Sequence, residues 1–305
     1  MVFGESPLKD AYRLFMWGPW RKAVEHAAPG AEVRAHRILG RVAYRVSDSR
    51  RKLVCKHLRN AFGDQPDLSL TAQRVFETHF ANQYIGFAWH RISRETIGHY
   101  VELRNEETLT EAQRGGRGAI VAHPHMGLPQ IPLHALGLRG VDVHQVGGGR
   151  TAVELSSVGQ WSAGVRASLE GAIRAQLHDG TRYLRPVMRA LKDNGVVFSA
   201  CDGTGGGDEL GRRATVSVLG RAMAIPVFPA WLSERCNTPV LFLKIYRNPG
   251  PGALYIGEFH GPVRASGLAA KTAEIGEHLD SALRAHPGEW HFWDQWHSGP
   301  GGLLR

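Results

Sequence analysis

From about residue 103 onward, short apolar runs punctuated by glycine alternate with longer stretches of helical periodicity, and no other feature constrains the fold of this chain as strongly. The runs at 119–122, 141–146, 196–200, 239–246 and 253–259 predict strands, being too short for buried helices and bounded by turn residues. Between them 152–178, 181–194 and 222–235 predict helices. A last helix is expected from about Leu268 to Arg284, with Ile275, Leu279, Ala282 and Leu283 on one side. Strands that alternate with helices build layered α/β structures. Residues 1–102 read instead as mainly helical, broken at Gly18-Pro19, Pro29-Gly30 and Gly63-Asp64-Gln65-Pro66. Asp67 or Ser69 is placed to cap a helix through Val75, Phe76, Phe80 and Tyr84. The expected fold is α/β, a mixed sheet flanked by helices with an N-terminal helical segment. The helical part spans 1–102 and the α/β part 103–305, joined as one continuous structural unit.

His125 stands just after the run Ala119-Ile120-Val121-Ala122, and a helix-like segment comes after it. Open α/β sheets assemble their sites outside the carboxyl ends of strands, so His125 is the best candidate for chemistry. His123 forms a His-x-His pair with it, a spacing that can share a metal on one strand face. No carboxylate or cysteine stands beside the pair in sequence, and no metal is expected. Glycine patches at Gly147-Gly148-Gly149 and Gly203-Thr204-Gly205-Gly206-Gly207 lack the Lys-Ser/Thr of a nucleotide loop and the spacing of a dinucleotide fingerprint. They read as mobile loops near the site. Cys55, Cys201 and Cys236 are too few and too scattered for a disulfide framework or a zinc site and read as buried thiols. Trp290, Trp293 and Trp296 read as packing.

The net charge of +9 is concentrated in residues 1–60, where thirteen Lys and Arg face five Asp and Glu. Arg34, Arg37, Arg41 and Arg45 recur at helical spacing beside an apolar stripe of Ile38, Leu39, Val42 and Val46. Upstream, Tyr12, Phe15, Trp17 and Trp20 are interleaved with Arg13, Arg21 and Lys22, a mixture that suits a lipid headgroup boundary. Anionic lipid attracts such charges by roughly 1 kcal/mol per residue. The alternative is a solvated face of an ordinary helix. A nucleic-acid partner fits the charge, but no nucleic-acid-binding motif accompanies it and none is expected. No run approaches the roughly eighteen apolar residues of a membrane span, and the N-terminus lacks the pattern of a secretory signal. The expectation is a cytoplasmic protein, peripheral on the cytoplasmic face of the cell membrane.

Four blocks in order carry a family resemblance. Ser49-Arg50-Arg51-Lys52-Leu53 leads to Leu58-Arg59-Asn60-Ala61-Phe62. His125 follows, and then Ala190-Leu191-Lys192-Asp193-Asn194-Gly195-Val196-Val197, Asp202 and Val218-Leu219-Gly220-Arg221. His286-Pro287-Gly288-Glu289-Trp290-His291-Phe292-Trp293 closes the series. Together they resemble the late acyltransferases of lipid A biosynthesis, which carry a catalytic histidine followed five residues later by an acid. Here the fifth residue is Gln130. The resemblance implies transfer of a fatty acyl group from an acyl thioester, on acyl carrier protein or coenzyme A, to a hydroxyl or amine of a lipid or lipid-like acceptor, with no other cofactor. It implies His125 as general base, and Asp202 and Arg221 as substrate-binding residues on the acceptor side. The basic segment would then meet an anionic membrane, an acidic carrier protein, or both.

The family's acid holds the imidazole in one tautomer and stabilises the imidazolium as it forms. Gln130 can accept a hydrogen bond from the ring and orient it, but brings no negative charge. Asp142, on the next expected strand, and Asp202, at the end of another, are the carboxylates that could approach instead, and the sequence leaves both open. Two other functions stay open with them. One is a relative that binds lipid or carrier without transferring acyl groups, which Gln130 favours; the other is a thioester hydrolase in which water replaces the acceptor.

Overall fold

The computed structural model describes residues 6–147, 155–180, 184–203, 211–299 and 302–305. Five helices open the chain: α1 (Pro7–Phe15), α2 (Arg21–Val24), α3 (Ala31–Val46), α4 (Asp48–Phe62) and α5 (Leu68–Tyr84). Helix α1 begins with Pro7 at its first turn and Ser6 capping the Lys9 N–H, which satisfies a donor the helix itself leaves open. Gly18-Pro19 does not break the chain as expected; it is carried in a wide π-helical turn, Met16–Trp20, between α1 and α2. Gly40 lets α3 and α5 touch, since a Cβ there would stand 2.6 Å from the Glu77 Cα.

The α/β part then alternates β1 (Val101–Arg104), α6 (Glu106–Gln113), β2 (Ala119–His123), α7 (Ile131–Leu138), β3 (Val143–Gly147), α8 (Ser157–Glu170), β4 (Gln176–Asp179), α9 (Arg185–Lys192) and β5 (Val196–Ala200). A hairpin of β6 (Arg213–Val218) and β7 (Arg221–Pro226) precedes α10 (Phe228–Cys236), β8 (Val240–Arg247), β9 (Tyr255–His260) and α11 (Leu268–Ala285). Seven strands form one mixed sheet in the order β1-β9-β8-β2-β5-β3-β4. The five from β8 to β4 are mutually parallel, while β9 pairs antiparallel with β8 and β1 follows β9.

The central strands are buried on both faces, which is why β2 reads as an unbroken apolar run. Alternate residues divide between two cores. Ile120, Ala122, Val197, Val240 and Phe242 pack on one side with Val54, Leu58, Val75 and Phe76 of α4 and α5. Ala119, Val121, Val196, Phe198 and Leu241 pack on the other with α7. The N-terminal helices therefore share the core of the sheet.

Several elements differ from expectation. Of the predicted helix over 152–178, residues 152–154 lie outside the described residues, and the described part holds α8 followed by strand β4, an edge strand whose sequence Gln-Leu-His-Asp carries almost no apolar signal. The predicted helix over 222–235 is half strand: Ala222-Met223-Ala224-Ile225 has helical composition, yet it is paired with β6. That hairpin turns on Leu219 and Gly220, both at positive φ, the geometry that matches strand twist in a two-residue loop. Asp280 of α11 accepts the Leu219 N–H at 2.5 Å and holds the turn. Helix 181–194 shortens to α9 within the described residues, and β1 lies across the boundary drawn at 102.

Candidate active site

Strands β2 and β5 run side by side with His123 opposite Ala200. Both chains then leave the carboxyl edge of the sheet, and two residues further along each stand His125 and Asp202. The register thus brings together residues 77 apart in sequence. Asp202 Oδ1 lies 2.7 Å from His125 Nδ1, and Oδ2 accepts the His125 backbone N–H at 2.8 Å and the Trp290 indole N–H at 2.8 Å. Asp202 is fully buried. Burial alone would raise its pKa, but the charge of His125 and the hydrogen bonds from the His125 ring, Trp290 and the His125 backbone outweigh it and hold the carboxyl below its ordinary value. An ionised Asp202 only accepts, so Nδ1 carries a proton in either state of the ring, and in the neutral ring it is Nε2 that holds the lone pair.

The loop bearing His125 is clamped by the closing segment. Met126 bridges to Trp290, Gly127 N–H donates to the Glu289 carbonyl at 3.0 Å, and His291 N–H donates to the His125 carbonyl at 3.0 Å. Gly127 is needed there: its φ is +57°, and a Cβ would meet the Ile245 backbone oxygen at 3.0 Å. Glu289 is in turn bonded to Thr78 at 2.9 Å and paired with Arg247 at 3.4 Å. The ring of Phe292 lies 4.7 Å from that of His125. Burial pushes the neighbouring His123 and His291 down to about 4, so both are neutral near pH 7.

His125 lines a cavity of about 380 Å³ at the carboxyl edge. Its walls include Leu184, Val227, Phe228, Trp231 and Leu268, with Ser199, Gln145 and Arg212 as polar members. Phe228 and Trp231 are stacked at 5.9 Å. The site therefore offers an oriented imidazole facing a mostly apolar cleft, an arrangement able to take a proton from a bound hydroxyl, amine or water.

Gln130 does not orient the ring. It sits at the start of α7, where its backbone carbonyl accepts the His134 N–H, and among the described residues it makes no hydrogen bond to His125, whose Nδ1 is engaged by Asp202. Asp142 is not at the ring either. It precedes β3 at the amino edge of the sheet, about 16 Å of strand away, and bonds His144 at 3.0 Å. Asp202 was expected on the acceptor side; its oxygens are instead taken up by His125 and Trp290. Arg221 starts β7 opposite Val218 and donates to the Asn60 carbonyl. The other end of that strand, Pro226, lines the cavity, which leaves Arg221 roughly 17 Å of strand away from it.

On α3, Arg34 and Arg45 are exposed, and Arg41 is half-exposed while pairing with buried Glu77 at 2.7 Å. Arg37 does not join them. It lies on the helix side of Val33 and Gly40, with its guanidinium 4.8 Å from the Tyr255 ring. Ile38, Val42 and Val46 are exposed, whereas Leu39 and Trp17 pack inward. Of the glycine patches, Gly147 and Gly203 line the cavity, and Gly148, Gly149 and 204–207 lie outside the described residues. Cys201 is buried, but Cys55 and Cys236 are only half-buried. No helix among the described residues is long and apolar enough to cross a membrane, and no cluster of three or more His, Cys, Asp and Glu among them is arranged to hold a metal.

Residues 28–297 match the family model for bacterial lipid A biosynthesis acyltransferase. The chain belongs to that family. No curated protein matches it. Membership supports an acyltransferase of lipid substrates, and the mixed sheet flanked by helices agrees with the family's fold. Within this family member, Trp290 and the apolar wall of the cavity are the site components that sequence reasoning missed. The closing His-Pro-Gly-Glu-Trp block was the signal for Trp290, but spacing alone made it look like packing.

Proposed function

We propose that the protein transfers a fatty acyl group from a thioester of acyl carrier protein or coenzyme A to a hydroxyl or amine of a lipid or lipid-like acceptor, at an anionic membrane surface on the cytoplasmic face. His125 is the general base. Its Nε2 takes the acceptor proton as the oxygen or nitrogen attacks the thioester carbonyl. The tetrahedral intermediate then collapses, the C–S bond breaks, and the departing thiolate receives the proton as a thiol. Asp202 stabilises the imidazolium between these two transfers, the part that Gln130 cannot play.

The observation that carries this proposal is the His125–Asp202 bond at 2.7 Å on the edge of the cavity. The apolar walls favour an acyl chain there, and Arg212 suits an anionic group of donor or acceptor. The exposed Ile38, Val42 and Val46 beside Arg34, Arg41 and Arg45 support membrane contact, because apolar side chains and basic charge on one helix face suit an interface.

The test mixes purified protein with a labelled acyl thioester and total lipid. Acylated lipid supports the proposal, free fatty acid points to a hydrolase, and unchanged thioester with stable association to a binder. His125→Ala is expected to lower transfer by about 10²–10⁴-fold with folding retained. Arg34, Arg41 and Arg45 changed together to Gln are expected to weaken binding to anionic vesicles and to flatten its salt dependence. Equal flotation with the vesicles at low salt would remove the membrane from the proposal.

A further inference from the structure

We propose that Trp290 is a positioning residue for acyl transfer, its indole N–H fixing the Asp202 carboxylate in the orientation that serves His125. This rests on His125 and Asp202 acting as described above. A carboxylate anchored at one point can swing about that bond. Asp202 Oδ2 is anchored at two, by the backbone N–H of His125 and by Trp290 Nε1, both at 2.8 Å, and these together direct Oδ1 at Nδ1. The second anchor comes from 88 residues away, so it is a tertiary device and not a local turn.

The chemistry of the donor fits the task. Indole N–H donates without titrating and without bringing a charge. Lysine or arginine in its place would neutralise Asp202 and take away the field that stabilises the imidazolium. Trp290 is itself rigid: fully buried, edge-on to Trp293 at 5.0 Å and to Trp296 at 5.8 Å, with its backbone bridged to Met126. The aromatic packing read from the sequence thus has a second purpose, to hold one N–H still. Among the described residues, the other titratable groups beside the His125 ring are His123 of β2, 6.3 Å away between ring centroids, and His291 of the closing segment, whose Nε2 bonds the Gly127 carbonyl.

Two substitutions separate the N–H from the shape of the ring. Trp290→Phe removes the donor and part of the volume. Replacing Trp290 by the sulfur isostere 3-benzothienylalanine removes the donor alone. With both, kcat is expected to fall roughly ten- to a hundred-fold, the range for losing one hydrogen bond to a charged group, while KM stays within about twofold. By nitrogen NMR of the resting protein, the Nδ1–H tautomer of His125 is expected to lose population in both variants. The same substitutions in an Asp202→Asn background should leave the tautomer where Asp202→Asn put it. A benzothienyl protein with wild-type turnover and an unchanged tautomer would overturn the proposal, as would an equal tautomer shift in the Asp202→Asn background. The NMR readout does not require turnover. Failure of wild-type protein to transfer acyl groups would therefore overturn the proposed function, while the tautomer still decides whether Trp290 positions Asp202.

Discussion

Among the described residues two histidine–aspartate pairs flank the sheet, one at its carboxyl edge and one at its amino edge, and the first alone has the makings of a site. His125 and Asp202 meet at 2.7 Å beyond the carboxyl ends of β2 and β5; His144 and Asp142 meet at 3.0 Å near the amino edge of β3. Residue types and distances are nearly the same. The surroundings differ. The Asp202 side chain is fully buried and receives three hydrogen bonds, whereas that of Asp142 is 55% exposed. The remaining His144 nitrogen is also spent, on His178 of the neighbouring strand at 2.9 Å. His125 lines the cavity, and among the described residues its Nε2 has no hydrogen-bond partner. A histidine–aspartate pair becomes a candidate base when its carboxylate is dry and fixed and one ring nitrogen is left over; with a solvent-exposed carboxylate, as at Asp142, the pair is of small energetic consequence.

The sharpest way to break this contrast is to neutralise each carboxylate. Asp202→Asn is expected to lower kcat by about 10⁴-fold, since an amide supports the wrong tautomer and no charge, while Asp142→Asn changes it by less than about twofold. Steady-state transfer assays decide, and comparable losses from both would erase the distinction between the pairs.

Next in size is acid sensitivity, which the burial around the first pair should cause. His123 and His291 are pushed down to about 4 when folded, against about 6.5 when unfolded. Between those values the unfolded chain binds more protons, so folding stability falls as pH drops from about 6.5 towards 4, by up to roughly 3 kcal/mol for each histidine. Urea midpoints across that window test this. His123→Asn should show a shallower decline than the wild type, and parallel curves would mean that His123 is not held neutral by burial.

The smallest effect concerns Gln130. With Asp202 already on the ring, Gln130→Ala should stay within about threefold of wild type. Gln130→Glu should bring no gain, because a second carboxylate would crowd like charges together. A large gain from Gln130→Glu, measured across pH, would show that Asp202 does not supply the needed charge.

Much of this was legible in the chain. The α/β class, the carboxyl-edge position of His125 and the family were readable because short apolar runs, glycine punctuation and sequence blocks are local signals. Strand β4 and hairpin β6–β7 were hidden for the opposite reason: an edge strand with a polar sequence and an alanine-rich strand acquire their state from partners. Arg37 shows the same limit on a helix, where its spacing with Arg34, Arg41 and Arg45 suggested one exposed row but Tyr255 draws it inward.

By itself the sequence determined that strands would alternate with helices and that a histidine would stand just beyond one of the central strands. Whether Asp142 or Asp202 would reach that histidine was left to the tertiary structure. The choice follows from register. In a parallel sheet all carboxyl ends lie on one edge, so Asp202 arrives beside His125 and Asp142 is carried to the opposite edge. Trp290 reaches the same carboxylate only because the closing segment folds back across the loop, a contact that no local pattern encodes.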